Sequence, residues 1–274
     1  MGRARRTLAI VAFTLVSCSA PVVPVVTPTT EIIPLRLYAT NAMLPLTSDL
    51  AMRYHQANPA ITFELASGNY AAMLERLLAG EMPYFISNHL PLEDDLALWA
   101  APIGQDGIAV IVHPDSPVTA LSTGQLREIY QGRIEDWSAF GFDAPITVFS
   151  RETGSGTRAE FELLVLGDRP ITPGAQIAPS SEAMVRSVAR TPGGIGYVSM
   201  GFLNDRVRAL MIDGVSLSQN SVAANIYPLR AFIYVVGREE PETDFRAFVA
   251  WVQSPEGQAV VGQHAAPLLD LGDG

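Results

Sequence analysis

The sequence predicts an α/β protein built on mostly parallel sheets, and three observations predict it. Short apolar or alternating runs with strand spacing recur along the chain, separated by runs with apolar residues at helical spacing. Small polar residues and glycines punctuate the strand-to-helix joints, where the backbone turns and helices need caps. The 274 residues, 48% hydrophobic and 17% charged, can bury a large core, as one big domain or two lobes of ordinary size. Strands alternating with helices imply parallel sheets, because a parallel pair needs a crossover connection.

In chain order, residues 35–39 (Leu-Arg-Leu-Tyr-Ala) alternate as a short strand, and Thr40-Asn41 breaks it. Residues 43–55 carry helical spacing, with Pro45 tolerable in a first turn, and Asn58-Pro59 stops that helix. Residues 61–65 form a second strand, Ser67-Gly68-Asn69 punctuates, and residues 70–78 are helical until Gly80. Residues 84–86 form a third strand, ending at Ser87-Asn88. Residues 107–112 are a buried strand, and Ser122 to Gln125 form a capping box that opens a helix through Tyr130. Strands at 146–149, 194–198 and 231–236 alternate with helices at 157–166, 181–189 and 244–252, the last broken at Ser254-Pro255 and resumed over 257–262. Thr157 and Glu160 have capping-box spacing of their own.

The composition excludes several kinds of chemistry. All 18 basic residues are Arg, against 28 acids, for a formal charge of −10. Without a Lys there is no Walker-type phosphate loop and no Lys Schiff base. An acidic chain without a basic run is a poor nucleic-acid binder, so no nucleic-acid partner is expected. One Cys excludes an internal disulfide framework and a Cys-rich metal site. His55, His89, His113 and His264 have no paired ligand spacing and read as structural or surface residues, so neither metal nor cofactor is expected. Ser155 lies in Thr-Gly-Ser-Gly-Thr, which is not the Gly-x-Ser-x-Gly of a nucleophile elbow.

The first 17 residues read as an export signal: Arg3, Arg5 and Arg6, then an apolar stretch at 8–16 too short to span a bilayer permanently. The stretch ends at Leu15-Val16-Ser17-Cys18, which resembles a bacterial lipobox. Cys18 is accordingly expected to carry acyl chains and anchor the chain to the outer face of the cell membrane. The alternative is a plain signal peptide with an incidental Cys. Residues 18–34, rich in Pro, Val and Thr, read as an extended tether.

Three strand-to-helix joints share one chemistry: Ala39-Thr40-Asn41, Ala66-Ser67-Gly68-Asn69 and the stretch from Ser150 to Thr157; Ser87-Asn88 adds a fourth polar pair. Helix N-termini there offer free N–H groups, which suits an anion beyond the carboxyl ends of the strands. Arg151 adds a forked, permanent positive charge. The plainer alternative is that each joint is only a helix cap.

The stretch Arg151-Glu152-Thr153-Gly154-Ser155-Gly156-Thr157-Arg158 resembles the signature loop of phosphate-binding proteins of ABC transporters. Residues 125–134 with Trp137, 191–199, 212–215, 227–229 and 254–258 agree with other family stretches in the same order. The resemblance implies a two-lobed periplasmic-binding-protein fold of type II, each lobe a mostly parallel sheet flanked by helices, with a hinge between them. It implies one lobe of residues 35–111 and 228–274 and another of 112–227, with crossings near 110–114 and 227–235. Carried over, the ligand residues are Thr40, Asn41, Ala42, Ser67, Gly68, Ser87, Asn88, Arg151, Ser155, Gly156 and Thr157. The implied function is capture of phosphate or a related oxyanion for ABC permease subunits by a monomer, without catalysis. A member that lost transport and serves as a surface sensor, adhesin or accessory protein is the alternative, with a phosphate-ester enzyme behind it. The family commonly has Asp where Asn88 stands; an amide carries no charge and adds donors, which implies looser selection against sulfate. Asn69-Tyr70 replaces a stretch usually richer in Gly and Ser, which implies a narrower cleft.

Overall fold

The computed structural model describes residues 32–91 and 96–268. The signal segment, Cys18, tether residues up to 31 and the acidic Glu93-Asp94-Asp95 lie outside the described residues.

Strand β1 (Ile33–Thr40) begins inside the stretch assigned to the tether. Its first residues, Ile33 and Pro34, pair in parallel with Ile61 and Thr62 of β2 (Ile61–Gly68). Pro34 lacks an N–H but is tolerated, because β3 (Tyr84–Ser87) meets β1 only at Tyr38 and Ala39. Helix α1 (Leu44–Ala57) has Pro45 in its first turn and buries Leu46, Leu50, Ala51 and Tyr54. Helix α2 (Tyr70–Leu78) is capped by Asn69, whose side chain accepts the Ala72 N–H.

Strand β4 (Trp99–Val112) is 14 residues long, more than twice the predicted run. Pro102, Gly104, Gln105 and Asp106 break the apolar pattern of its first half, which hid it. After β5 (Ala120–Leu121) comes α3 (Thr123–Tyr130), opened by the expected Ser122–Gln125 capping box. Strand β6 (Thr147–Arg151) leads into α4 (Gly156–Phe161), which continues as a π-helical turn over Glu162–Leu166. The rest runs β7 (Gln176–Ala178), α5 (Ser181–Val188), β8 (Gly194–Ser199), β9 (Arg208–Ala209), β10 (Met211–Ile212), α6 (Gln219–Ala223), β11 (Arg230–Gly237), α7 (Thr243–Val252) and α8 (Pro255–Val261). The short elements β5, β7, β9, β10 and α6 lie outside the predicted ones; most have two or three residues, too few to reveal a period.

The main sheet has the order β2-β1-β3-β11-β4-β8-β6-β7, with β9 against β4; β5 and β10 pair separately. Its two flanks are parallel: β2-β1-β3 on one side and β8-β6-β7 on the other. The centre is antiparallel, where β11 and β4 join them. Residues 99–107 of β4 pair with β11, and residues 108–112 pair with β8. One strand therefore serves both halves of the molecule.

The change of partner at Gly107 falls earlier than the predicted crossing at 110–114. A Cβ on Gly107 would lie 2.4 Å from a Leu217 methyl and 2.9 Å from a Val222 methyl, so a larger residue where the halves join would force these side chains to shift. The Ile108 N–H donates to the Leu229 carbonyl at 2.7 Å, and the Tyr227 hydroxyl donates to the Ile108 carbonyl at 3.0 Å. These bonds tie the outgoing segment to the returning one. Ile108, Val110 and Ile111, expected in the first lobe, instead pack in the second half, because their neighbours are β8 and the helices that cover it.

Each half has helices on both faces. In the first, Leu37, Leu50, Phe248 and Val261 pack beneath α1, α7 and α8, while Met73, Leu77 and Phe85 pack beneath α2. In the second, Leu126, Tyr130, Phe161 and Tyr197 pack beneath α3 and α4, while Met184 and Val188 of α5 cover the other face. Phe161 stacks on Tyr197 with ring centroids 4.0 Å apart. This architecture turns the carboxyl ends of β1 and β3 in one half, and of β6 in the other, toward a common seam.

Candidate functional site

At that seam Thr40, Asn41 and Ala42 at the end of β1, Asn69 and Tyr70 at the start of α2, and Arg151, Ser155, Gly156 and Thr157 from the end of β6 onward line a small cavity with a free volume of about 10 Å³. Larger hollows, of about 300 Å³ beside Arg36 and Arg238 and about 460 Å³ beside Trp251, are open surface features. The seam cavity differs from them in having buried polar groups at its wall.

Arg151 is 2% exposed. Its Nε and Nη2 donate to the two carboxylate oxygens of Glu152, each at 3.0 Å, and Nη1 donates to the Ser181 hydroxyl at 3.2 Å. Of the five N–H groups of a guanidinium, two have no acceptor among the described residues, at a group that lines the cavity. Its backbone is held too: the Arg151 N–H donates to the Tyr197 hydroxyl oxygen, and the Arg158 guanidinium donates to the Arg151 carbonyl. Burial, first, pushes the Tyr197 phenol up to about 12, so it remains protonated at neutral pH.

Helix α4 begins at Gly156 with Ser155 as its cap, the Ser155 hydroxyl accepting the Arg158 N–H. The capping box predicted from Thr157 and Glu160 does not form, because the extended backbone that a cap needs occurs at Ser155. The N–H groups of Gly156 and Thr157 fall in the first turn, where no intrahelical acceptor exists. The Thr40 hydroxyl is buried and has no hydrogen-bond partner among the described residues.

Asn88 is wholly buried and bridges the halves. Its Nδ2 donates to Asp106 Oδ2 at 2.8 Å and to the Thr157 hydroxyl at 3.2 Å, while its Oδ1 has no partner among the described residues. Two further contacts cross the seam. The Ala71 N–H donates to the Gly154 carbonyl at 3.0 Å, and His89 Nδ1 lies 2.7 Å from Glu160 Oε1.

Seven of the eleven expected site residues thus line one cavity: Thr40, Asn41, Ala42, Arg151, Ser155, Gly156 and Thr157. Asn88 abuts its wall, its Oδ1 lying 3.4 Å from where a Gly156 Cβ would be. Ser67, Gly68 and Ser87 do not line it. Strand β2 runs to Gly68, three residues beyond its predicted end, so the turn starts at Asn69; Ser67 stays on the strand, exposed, and Gly68 abuts Met73. The Ser87 hydroxyl is turned into its own loop, donating to the His89 carbonyl and accepting the His89 N–H. Asn69 and Tyr70, which the sequence places at the joint after β2 and at the cleft but not among the expected ligand residues, also line the cavity.

Sequence reasoning missed Asp106, which is fully buried and accepts from the Ser199 hydroxyl at 2.8 Å and the Met200 N–H at 3.2 Å as well as from Asn88. Desolvation raises its carboxyl to about 6, against the pull of those three hydrogen bonds; Glu160 adds to the rise. A carboxyl that ionises later in the folded than in the unfolded chain favours folding only while protonated. Its contribution is complete below about pH 4 and is lost as the pH rises through about 6. Relative to Asp106→Asn, the native chain is expected to lose about 3 kcal/mol across that window. Urea unfolding at a series of pH values checks this; a constant difference between the two proteins contradicts it.

The lining carries donors, one buried guanidinium and no carboxylate or imidazole. Such a shell solvates a small oxyanion in place of water.

The chain has relatives among known proteins. Residues 24–256 match the family described as the PBP superfamily domain. The chain is 29% identical over 245 residues to the phosphate-binding protein PstS of Bacillus subtilis strain 168, covering 86% of this chain and 81% of that one. Among solved structures, a candidate phosphate ABC transporter substrate-binding protein of Clostridium perfringens with bound phosphate superposes with a TM-score of 0.81 at 28% identity, over 86% of this chain and all of the other. An ABC-type phosphate transport receptor from Vibrio cholerae shares the fold, with a TM-score of 0.70 at 22% identity over 86% of this chain and all of that one. The family match spans both halves of the sheet and the seam cavity between them, and the chain belongs to the PBP superfamily.

Proposed function

We propose that this protein captures phosphate at the seam between its halves and presents it to an ABC importer. The observation that carries this reading is the cavity itself. Loops from both halves converge there on the uncommitted N–H groups of Arg151, the first turn of α4 and the unpartnered Thr40 hydroxyl. A ligand held by both halves stabilises their contact, and the joined form is what a permease recognises. Thr40, Asn41, Ala42, Asn69, Tyr70, Arg151, Ser155, Gly156 and Thr157 are the proposed ligand shell, with Asn88 beside Gly156. The work is binding rather than turnover, and the lining accords with that in offering donors without a base. The relatives named for phosphate and the phosphate held by the Clostridium perfringens structure support the choice of ligand.

The hinge is proposed at Gly107 and the segment returning through Tyr227 to Arg230. The protein is further proposed to act outside the cytoplasm as a monomer, anchored by lipid at Cys18; among the described residues no helix is long and apolar enough to cross a membrane. Calorimetric titration with phosphate tests the function: several charge-assisted bonds in a closed site give a Kd of roughly micromolar or tighter. Absence of binding overturns it. Metabolic labelling with a fatty acid tests the anchor, which fails if Cys18→Ala is labelled as well as the native chain.

A further inference from the structure

Asn88 is an amide whose two ends are used unequally. Both hydrogens of Nδ2 have acceptors, Asp106 Oδ2 at 2.8 Å and the Thr157 hydroxyl at 3.2 Å. Its carbonyl oxygen is buried, has no partner among the described residues and lies 3.4 Å from where a Cβ on Gly156, which lines the cavity, would stand. The reversed amide would bring its oxygen to 2.8 Å from the Asp106 carboxylate, two acceptors in contact in a water-free place. Asp106 is held in turn by the Ser199 hydroxyl and the Met200 N–H on its other oxygen, so its Oδ2 is left facing Asn88. A buried carbonyl beside an anion site needs a donor, and a protonated ligand can supply one.

We propose that Asp106 is a positioning residue that fixes Asn88 with its carbonyl toward the anion, so that the site selects a protonated tetrahedral oxyanion over a fully ionised one. This rests on the phosphate-binding reading above. It reverses the expectation drawn from the residue type alone, that an amide here loosens selection by adding donors. The donors exist, but the protein consumes both. Hydrogen phosphate and sulfate are then separated by one hydrogen bond made or left unmade. The two dianions have equal charge and similar size, so their ratio isolates that bond.

The test is calorimetry of the full chain with phosphate and with sulfate at about pH 8, where phosphate is mainly the singly protonated dianion. The native chain is expected to bind phosphate at least ~100-fold tighter than sulfate, because a site built around a hydrogen bond strongly rejects the analogue lacking it. In Asp106→Asn the neighbour both donates and accepts, the Asn88 amide can reverse, and the ratio is expected to fall about tenfold or more. The exchange variant Asn88→Asp with Asp106→Asn restores a fixed acceptor and is expected to bring the ratio back. That recovery separates positioning from a merely structural role. If Asp106→Asn does not fold, the exchange variant and the native chain decide between them. A native ratio near one, an unchanged ratio in Asp106→Asn, or no recovery on exchange overturns the inference while leaving phosphate binding intact. Failure of the native chain to bind either anion overturns the functional reading with it.

Discussion

Replacing Arg151 by alanine is expected to weaken phosphate binding by ~10² to 10⁴-fold. The two uncommitted N–H groups of its guanidinium are worth ~1.5–3 kcal/mol each toward a charged acceptor. The substitution also releases Glu152, whose carboxylate now occupies two of the guanidinium's N–H groups. An unneutralised carboxylate beside the cavity adds repulsion to the lost attraction. The fold is expected to survive, because Glu152 lies near enough to the surface, with 23% of its side chain exposed, to regain water. Arg151→Lys keeps the charge but not the fork, and is expected to recover only part of the loss. Calorimetry gives the affinities and circular dichroism the folded fraction. A folded Arg151→Ala protein with native affinity would remove this residue from the site.

Gly154→Val is expected to be nearly as damaging by a different route. Gly154 has φ of +89°, which costs a residue with a Cβ about 1–2 kcal/mol. A Cβ there would also meet Ala71 at 2.9 Å, across the seam. The clash opposes the contact in which the Ala71 N–H reaches the Gly154 carbonyl, so it acts against the joined form rather than against either half. Phosphate affinity is expected to drop ~100-fold, since every proposed ligand contact depends on both halves meeting. Small-angle scattering should show a smaller phosphate-induced compaction than in the native chain. Native compaction and affinity together would show that the seam tolerates the added bulk.

The fold was legible because its signals are local and repeated. Alternation marked β1, capping chemistry marked α2 and α3, and the glycine-flanked serine after β6 stood out because such backbone freedom needs a reason. The missed features depend on distant neighbours. The first half of β4 contains a proline and buried polar residues, and only its pairing with β11 makes it a strand. The two-residue strands exist because partners far along the chain complete them, as β10 completes β5. Ser67 and Asn69 are alike as residue types for a turn, and which one reaches the cavity is decided by how far β2 stays paired with β1.

Taken alone, the sequence determined that this chain alternates strands and helices, that its chemistry is neither cysteine- nor lysine-based, and that donors gather after β1 and β6. These follow from composition, side-chain periodicity and the needs of helix ends, all properties of neighbouring residues. Only the tertiary structure decided that Asp106 stands behind Asn88, 18 positions away, and that Thr157, 69 positions from Asn88, takes its other hydrogen. An amide's identity lists what it can donate and accept; which end is left over depends on the groups that folding brings to it.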